Sequence, residues 1–181
     1  MIFARTGLSP ANIRRFFAAA LATACVVGGS AIPADSITLF SGVDEENRLR
    51  SVLQNDGRLN ATDRYKLFVP AEKLTERTAL FLVSYPEEYR ADFDEDDIEL
   101  RINNDPVPMR SVRWDPESLS VELIPESPIA AQTRKVSIVF SNVQNPRRTG
   151  THFFNAYVQP PTETELPPRY IGTWIMQFGR L

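Results

Sequence analysis

Beyond residue 34 the sequence predicts an all-β fold, an antiparallel sandwich. Three observations carry that prediction. The apolar residues come in short runs, the runs are rich in β-branched and aromatic types, and turn residues punctuate them. The fourteen prolines fall mostly between the runs, where they cost no ladder hydrogen bonds.

Taken in order, Ile37–Phe40 reads as a first strand. Asp44 to Leu53 has a weak helical spacing, enough for one short turn, and Pro70–Leu74 reads as another single turn with proline at its start. Arg64–Val69 alternates, with Tyr65, Leu67 and Val69 on one face. Thr78–Ser84 is a continuous apolar run, as expected of a central strand, and Ile98–Ile102 alternates. Met109–Trp114 and Leu119–Ile124 suit a hairpin over Asp115-Pro116-Glu117. Lys135–Phe140, His152–Val158 and Tyr170–Phe178 complete about eight or nine strands, a number and spacing that fit an immunoglobulin-like sandwich. Pro160–Pro168 reads as an extended crossover between the last two strands. The expected core includes Leu80, Leu82, Val136, Ile138, Phe140, Phe154 and Trp174.

Residues 1–34 read as a secretory signal peptide, and 35–181 as a single domain. Arg5, Arg14 and Arg15 precede the apolar run Phe16–Val27, which ends in Gly28-Gly29-Ser30-Ala31-Ile32-Pro33-Ala34. The competing reading is a membrane anchor, but a spanning helix needs ~20 apolar residues and the glycines interrupt this run. Cleavage after Ala34, with Ala31 as the alternative, leaves no stable membrane span. Arg14-Arg15-Phe16-Phe17 matches a twin-arginine signal in part, and Cys25 a lipoprotein site weakly. The expected location is extracytoplasmic: periplasm first, thylakoid lumen or exterior as alternatives.

Composition excludes several functions. The chain carries 20 basic and 23 acidic residues; without Arg5, Arg14 and Arg15 the balance is 17 against 23, a net charge of −6. An acidic body argues against nucleic acid and anionic lipid as partners. Cys25 is the only cysteine, so the mature chain has no disulfide, and His152 is the only histidine, so one chain cannot build a multi-histidine metal site. No serine-hydrolase elbow, zinc-protease helix, phosphate loop or dinucleotide fingerprint is present. The sequence thus assigns no catalytic residue, no metal ligand and no cofactor.

Three clusters remain. Asp92, Asp94 and Asp96 alternate along an acidic run, which reads either as a solvated loop or as a weak cation site. The calcium-loop pattern fails, with Asp97 where glycine is needed and Asn103 where glutamate is needed. Alternate aspartates suit a strand. Arg147 and Arg148 follow Asn145-Pro146 in a turn near His152, where two guanidiniums suit a carboxylate or phosphate. Tyr170 and Trp174 share a strand face with Met176 and Phe178, beside Phe153, Phe154 and Tyr157. Such rings either build the core or stack on sugars. Asp63-Arg64-Tyr65 suits an ion pair and a phenol hydrogen bond at a strand start. Asn142 and Asn145 suit a side-chain-supported turn, and Gly172 a bulge or a close crossing.

These motifs, taken as a set, resemble a family. Ser36–Val43, Asp63-Arg64-Tyr65, Ser84-Tyr85-Pro86, Trp114-Asp115, Ser141–Pro146, Phe154-Asn155-Ala156 and Arg169–Trp174 are similar to those of exported cyanobacterial proteins classed as a domain of unknown function. The resemblance implies an exported cyanobacterial protein and brings no activity or ligand. The expected function is a non-catalytic binding or structural module of the cell envelope, with envelope protein or polysaccharide as partner. The alternative is a carbohydrate-active enzyme using a carboxylate pair.

Overall fold

The computed structural model describes residues 42–90, 92–162 and 167–179. The expected leader, the strand expected over Ile37–Phe40 and the middle of the Pro160–Pro168 crossover lie outside them. Among the described residues the chain is an immunoglobulin-like sandwich of two sheets with no α-helix. Its strands are β1 (Arg48–Leu49), β2 (Ser51–Leu53), β3 (Thr62–Val69), β4 (Leu80–Ser84), β5 (Ile98–Ile102), β6 (Asp105–Pro106), β7 (Met109–Asp115), β8 (Ser120–Pro125), β9 (Val136–Gln144), β10 (Gly150–Gln159) and β11 (Arg169–Phe178). One sheet has the order β1-β11-β10-β4-β8-β7 and the other β2-β3-β9-β5-β6; only the β1–β11 pair is parallel.

The longer strands follow the predicted runs. The strand number exceeds the expected eight or nine because short ladders escape a periodicity argument: β1, β2 and β6 have two or three residues each. Only Glu45–Asn47 of the expected Asp44–Leu53 turn is a 3-10 turn, and the rest pairs as β1 and β2. Pro70 leads into the 3-10 turn Ala71–Lys73 as predicted. The β7–β8 hairpin closes over Asp115, whose Oδ1 accepts the N–H groups of Glu117 and Ser118 at 3.0 and 3.1 Å.

Inward positions of both sheets meet in one aromatic-rich core. Trp174, Phe154, Phe140, Ile138 and Val136 are buried as expected. Trp174 also ties the sheets together, its indole N–H donating to the Phe68 carbonyl of β3 at 3.0 Å. Leu80 and Leu82 are corrected: they are half-buried, while Phe81 and Val83 fill the core. A continuous apolar run gives no phase, and pairing decides it. Phe81 lies opposite Leu123 and Val83 opposite Val121, which puts Leu82 on the outer face beside Tyr157.

A second phase change sits in β11. Ala156 is opposite Gly172 but Tyr157 is opposite Tyr170, so Ile171 is an extra, inward-pointing residue. The bulge turns Tyr170 outward, away from the face of Trp174, correcting the expected shared face. Gly172 serves both roles foreseen for it. Its φ is +151°, and a Cβ there would lie 2.7 Å from the Asn47 carbonyl oxygen and 2.7 Å from Leu49 Cγ, where β1 crosses.

The face assignment of β4 is open to direct test. Phe81→Ala should lower unfolding stability by about 3–5 kcal/mol, and Leu82→Ala by less than half as much. Equal shifts in denaturant midpoint would place Leu82 in the core after all.

Candidate functional site

At one end of the sandwich the chain forms a polar hub. Asn145, in the stretch between β9 and β10, is buried with Asp63 and Tyr65 of β3. Its Nδ2 donates to Asp63 Oδ2 and to the Arg58 carbonyl, each at 2.9 Å, and its Oδ1 accepts from the Tyr65 hydroxyl at 2.5 Å. Asp63 Oδ1 accepts the N–H groups of Asn55 and Arg64 at 2.8 and 2.7 Å. The Tyr89 hydroxyl lies 2.7 Å from that of Tyr65. The Tyr65 hydrogen is committed to Asn145, so Tyr89 is the donor of that pair.

This arrangement corrects two expectations. Arg64 makes no ion pair with Asp63; it reaches Glu99 instead, at 4.0 Å. Asn145 is not a turn mimic but a buried bridge, and Asn142 lies within β9. There its φ of +53° marks a bulge, where Asp63 faces Val143 and Tyr65 faces Phe140. The missed signal is that Asp63 occupies a core-facing position of an alternating strand. A carboxylate there needs buried partners, and its side-chain partner Asn145 lies 82 residues away.

Burial pushes the phenols of Tyr65 and Tyr89 well above the ordinary tyrosine range, and the charge of Asp63 adds to both. Burial also raises Tyr85, whose hydroxyl takes the Trp114 indole N–H at 2.7 Å. Asp63 is the only buried carboxylate among the described residues, and both its oxygens are occupied structurally.

Beside the hub lies a groove of about 890 Å³. Glu88, Tyr89, Arg90 and Asp92 wall one side, and the 144–152 stretch the other, including Arg147, Arg148 and His152. The fold therefore brings the predicted Arg147–Arg148 pair together with His152 and with Arg90, which sequence reasoning did not include. None of the three guanidinium groups has a hydrogen-bond or ion-pair partner among the described residues. His152 is 7% exposed, with Tyr89 and Phe178 rings at 5.3 and 5.7 Å and no partner for Nδ1. Burial holds its imidazole below the ordinary histidine range, against the attraction of Glu88.

The acidic candidates separate. Asp92 lines the groove, but Asp94 caps the 3-10 turn Glu95–Asp97, accepting the Asp96 N–H at 3.0 Å. The run is a turn, not the strand that alternate aspartates suggested. Glu95 Oε1 takes the Trp114 N–H at 2.7 Å and Asp97 Oδ2 the Asn142 amide at 3.0 Å. Among the described residues no three His, Cys, Asp or Glu side chains converge on a point that would hold a metal ion.

The aromatic candidates separate as well. Trp174, Met176, Phe178 and Phe154 belong to the core, whereas Phe153 and Tyr170 are 44% and 40% exposed. Tyr170 packs edge-on to Tyr157 at 5.7 Å and shares a hydrogen bond with Thr173 Oγ1, which bonds Asn155 Oδ1, both at 2.7 Å.

A family model described as "Protein of unknown function (DUF2808)" matches residues 37–178. The chain belongs to that family. No curated protein matches it. Among solved structures, it is similar to a 35 kDa C-terminal fragment of the major pilin GBS80 of Streptococcus agalactiae, at 4% identity and TM-score 0.47, covering 72% of this chain and 55% of that one. The DUF2808 chain thus spans about half of the pilin fragment. It is also similar to the collagen-binding domain of a Staphylococcus aureus adhesin (8% identity, TM-score 0.40, 73% and 97% covered). An immunoglobulin-like protein from Nocardia farcinica is similar too (15%, 0.39, 74% and 99%). At these identities no residue role carries over. No helix among the described residues is long and apolar enough to cross a membrane.

Two measurements check the hub and the groove. Asn145→Asp is nearly isosteric but sets a second carboxylate against Asp63. It should destabilise the fold at pH 7 by about 3 kcal/mol or more, with part of the loss recovered on acidification; an unchanged urea midpoint would refute the bridge. For His152, the folded pKa lies below the unfolded value of about 6.5. The unfolded chain therefore binds the proton first, and stability present above that value falls as pH drops through it towards the folded pKa. Urea midpoints between pH 8 and 5 should fall more steeply for the parent than for His152→Gln.

Proposed function

We propose that this DUF2808 chain is a non-catalytic, exported binding or structural module of the cell envelope, which meets its partner through the outer face of the six-stranded sheet. The partner is an envelope protein or polysaccharide. The contrast between the outer face of the five-stranded sheet and the β10–β11 part of the other outer face carries the reading; on the latter sheet the charges of Glu122 and Arg113 lie beyond Leu82, on β8 and β7. On the five-stranded sheet, charged side chains cover the strands: Arg50 and Lys66 lie over the Phe68 ring at 4.6 and 5.3 Å, and Glu99 binds Arg101 at 2.6 Å and Arg64 at 4.0 Å. Val139, between Lys66 and Glu99, is 1% exposed beneath them. On the other sheet, the register places Phe153 beside Ile175, Asn155 beside Thr173, and Tyr157 between Tyr170 and Leu82. These positions carry no charge and combine open rings with hydroxyl and amide groups, a composition that suits recognition surfaces.

The sequence supplies the rest of the proposal. The leader-like residues 1–34 support export and maturation near Asp35, and the family resemblance supports a cyanobacterial envelope, with the periplasm ahead of thylakoid lumen or exterior. The enzyme reading finds no support in Asp63, whose two oxygens both accept hydrogen bonds within the buried hub.

Co-sedimentation with isolated envelope polysaccharide and with envelope protein fractions tests the contact face. Phe153→Ser with Tyr170→Ser should weaken binding about tenfold or more, and Arg64→Ala on the opposite face should not. Equal losses on both faces, or binding by neither fraction, would overturn the proposal. Intact mass of the native protein showing Met1 retained, with the protein in the membrane fraction, would overturn maturation near Asp35.

A further inference from the structure

Strand β10 is paired on both sides only from Asn155 to Val158. Its ladder with β11 runs from Gly150 to Val158, but its ladder with β4 covers only Asn155 to Gln159. β4 ends at Ser84, and the chain leaves through Tyr85 into the 3-10 turn Glu87–Tyr89. Over Gly150–Phe154, therefore, one edge of β10 has no strand beside it among the described residues. Among the described residues no loop backbone group bonds to that stretch either. The groove opens where β4 departs, and Gly150, Thr151 and His152 line it. A free strand edge presents N–H and C=O groups in a row, a template for an added strand.

The charges beside this edge have an unusual sign for the chain. Three guanidiniums, Arg90, Arg147 and Arg148, share the lining with two carboxylates, Glu88 and Asp92, in a chain of net charge −3. The guanidinium groups pair with neither acid nor with any other described residue. Guanidinium groups recognise carboxylates with paired, directional hydrogen bonds, so cations left without partners beside a groove fit an anionic occupant.

We propose that this groove receives an extended acidic peptide segment of a partner protein, which adds to the free edge of β10 as a further strand and sets its carboxylates on Arg90, Arg147 and Arg148. The open edge is what favours a peptide over an anionic glycan. Arginines alone serve either, but a row of unpaired backbone groups is matched by another backbone. The groove volume, near the top of the range for small-molecule pockets, suits a length of chain. The inference rests on the reading of the chain as a binding module but not on the outer sheet face.

Fluorescence anisotropy with a labelled octapeptide of alternating valine and glutamate tests it on the full chain. Saturable binding is expected, weakened about tenfold or more by Arg147→Ala with Arg148→Ala, and likewise by N-methylating the peptide backbone throughout. The lysine counterpart of the peptide should not bind. Tyr170→Ser alone should leave the affinity unchanged, which separates failure of the groove from failure of the outer face. Equal binding of the N-methylated peptide, or displacement by polygalacturonate at equal affinity, would make the groove a general polyanion site and overturn the strand addition. Absence of saturable binding at millimolar peptide would overturn the proposal outright.

Discussion

The end of the sandwich that carries the groove depends on the side chain of one asparagine. Asn145 satisfies a buried carboxylate, a buried phenol and a loop carbonyl at once, and its donors and acceptor are oriented without ambiguity because both Nδ2 partners only accept. Through Tyr65 the bond chain reaches Tyr89, whose ring packs on Phe154 at 4.9 Å and on His152 at 5.3 Å. Both walls of the groove are thereby fixed to the core: the 144–152 stretch by Asn145, and the Glu87–Tyr89 turn by Tyr89. A hub of this kind is expensive to leave half-satisfied, since each buried group that loses its partner keeps its full desolvation cost.

The two outer faces show the same backbone physics leading to opposite surfaces. In the five-stranded sheet the central strand β9 is buried on both sides from Val136 to Phe140, because long charged side chains of β3 and β5 lie across it. In the six-stranded sheet no charged side chains among the described residues lie across β10 and β11 in this way, and the Ile171 bulge adds to the exposed surface by turning Tyr170 outward. Gly172 makes that bulge compatible with the close passage of β1. One glycine thus links a core requirement to the composition of an outer face.

Much of the fold was legible because period-2 alternation specifies a face wherever polar and apolar residues take turns. Tyr65, Leu67 and Val69 on β3, and Val136, Ile138 and Phe140 on β9, point inward as read. Thr78–Ser84 does not alternate, so its phase came from the partners of β4, which no local pattern contains. Tyr170 was misplaced because a bulge shifts parity without leaving a composition signal beyond a single glycine. The hub was illegible for a different reason. Asp63 and Tyr65 announce a polar patch at a strand start, but their partner is an asparagine 82 positions away in sequence from Asp63. Arg147 and Arg148 were visible as a pair, whereas Arg90 joined them only through the β4–β5 connection.

The groove follows from the topology. The stretch after β9 carries the chain from the five-stranded sheet to the six-stranded one, and Asn145 anchors it at the crossing. β10 therefore starts at the end of the sandwich, five residues before it meets β4. The connection leaving β4 has Tyr89 drawn into the core, so it closes the sandwich end without restoring a ladder on β10. Natural sheets usually blunt an open edge with charge, proline or a covering loop. Here Pro146, Arg147 and Arg148 lie just before the open stretch rather than within it, and the residues that line the groove from the strand itself, Gly150, Thr151 and His152, are small or neutral at pH 7. Protection at the approach and permissiveness along the edge together admit a negatively charged strand more readily than a second copy of this edge, whose own arginines would be brought face to face.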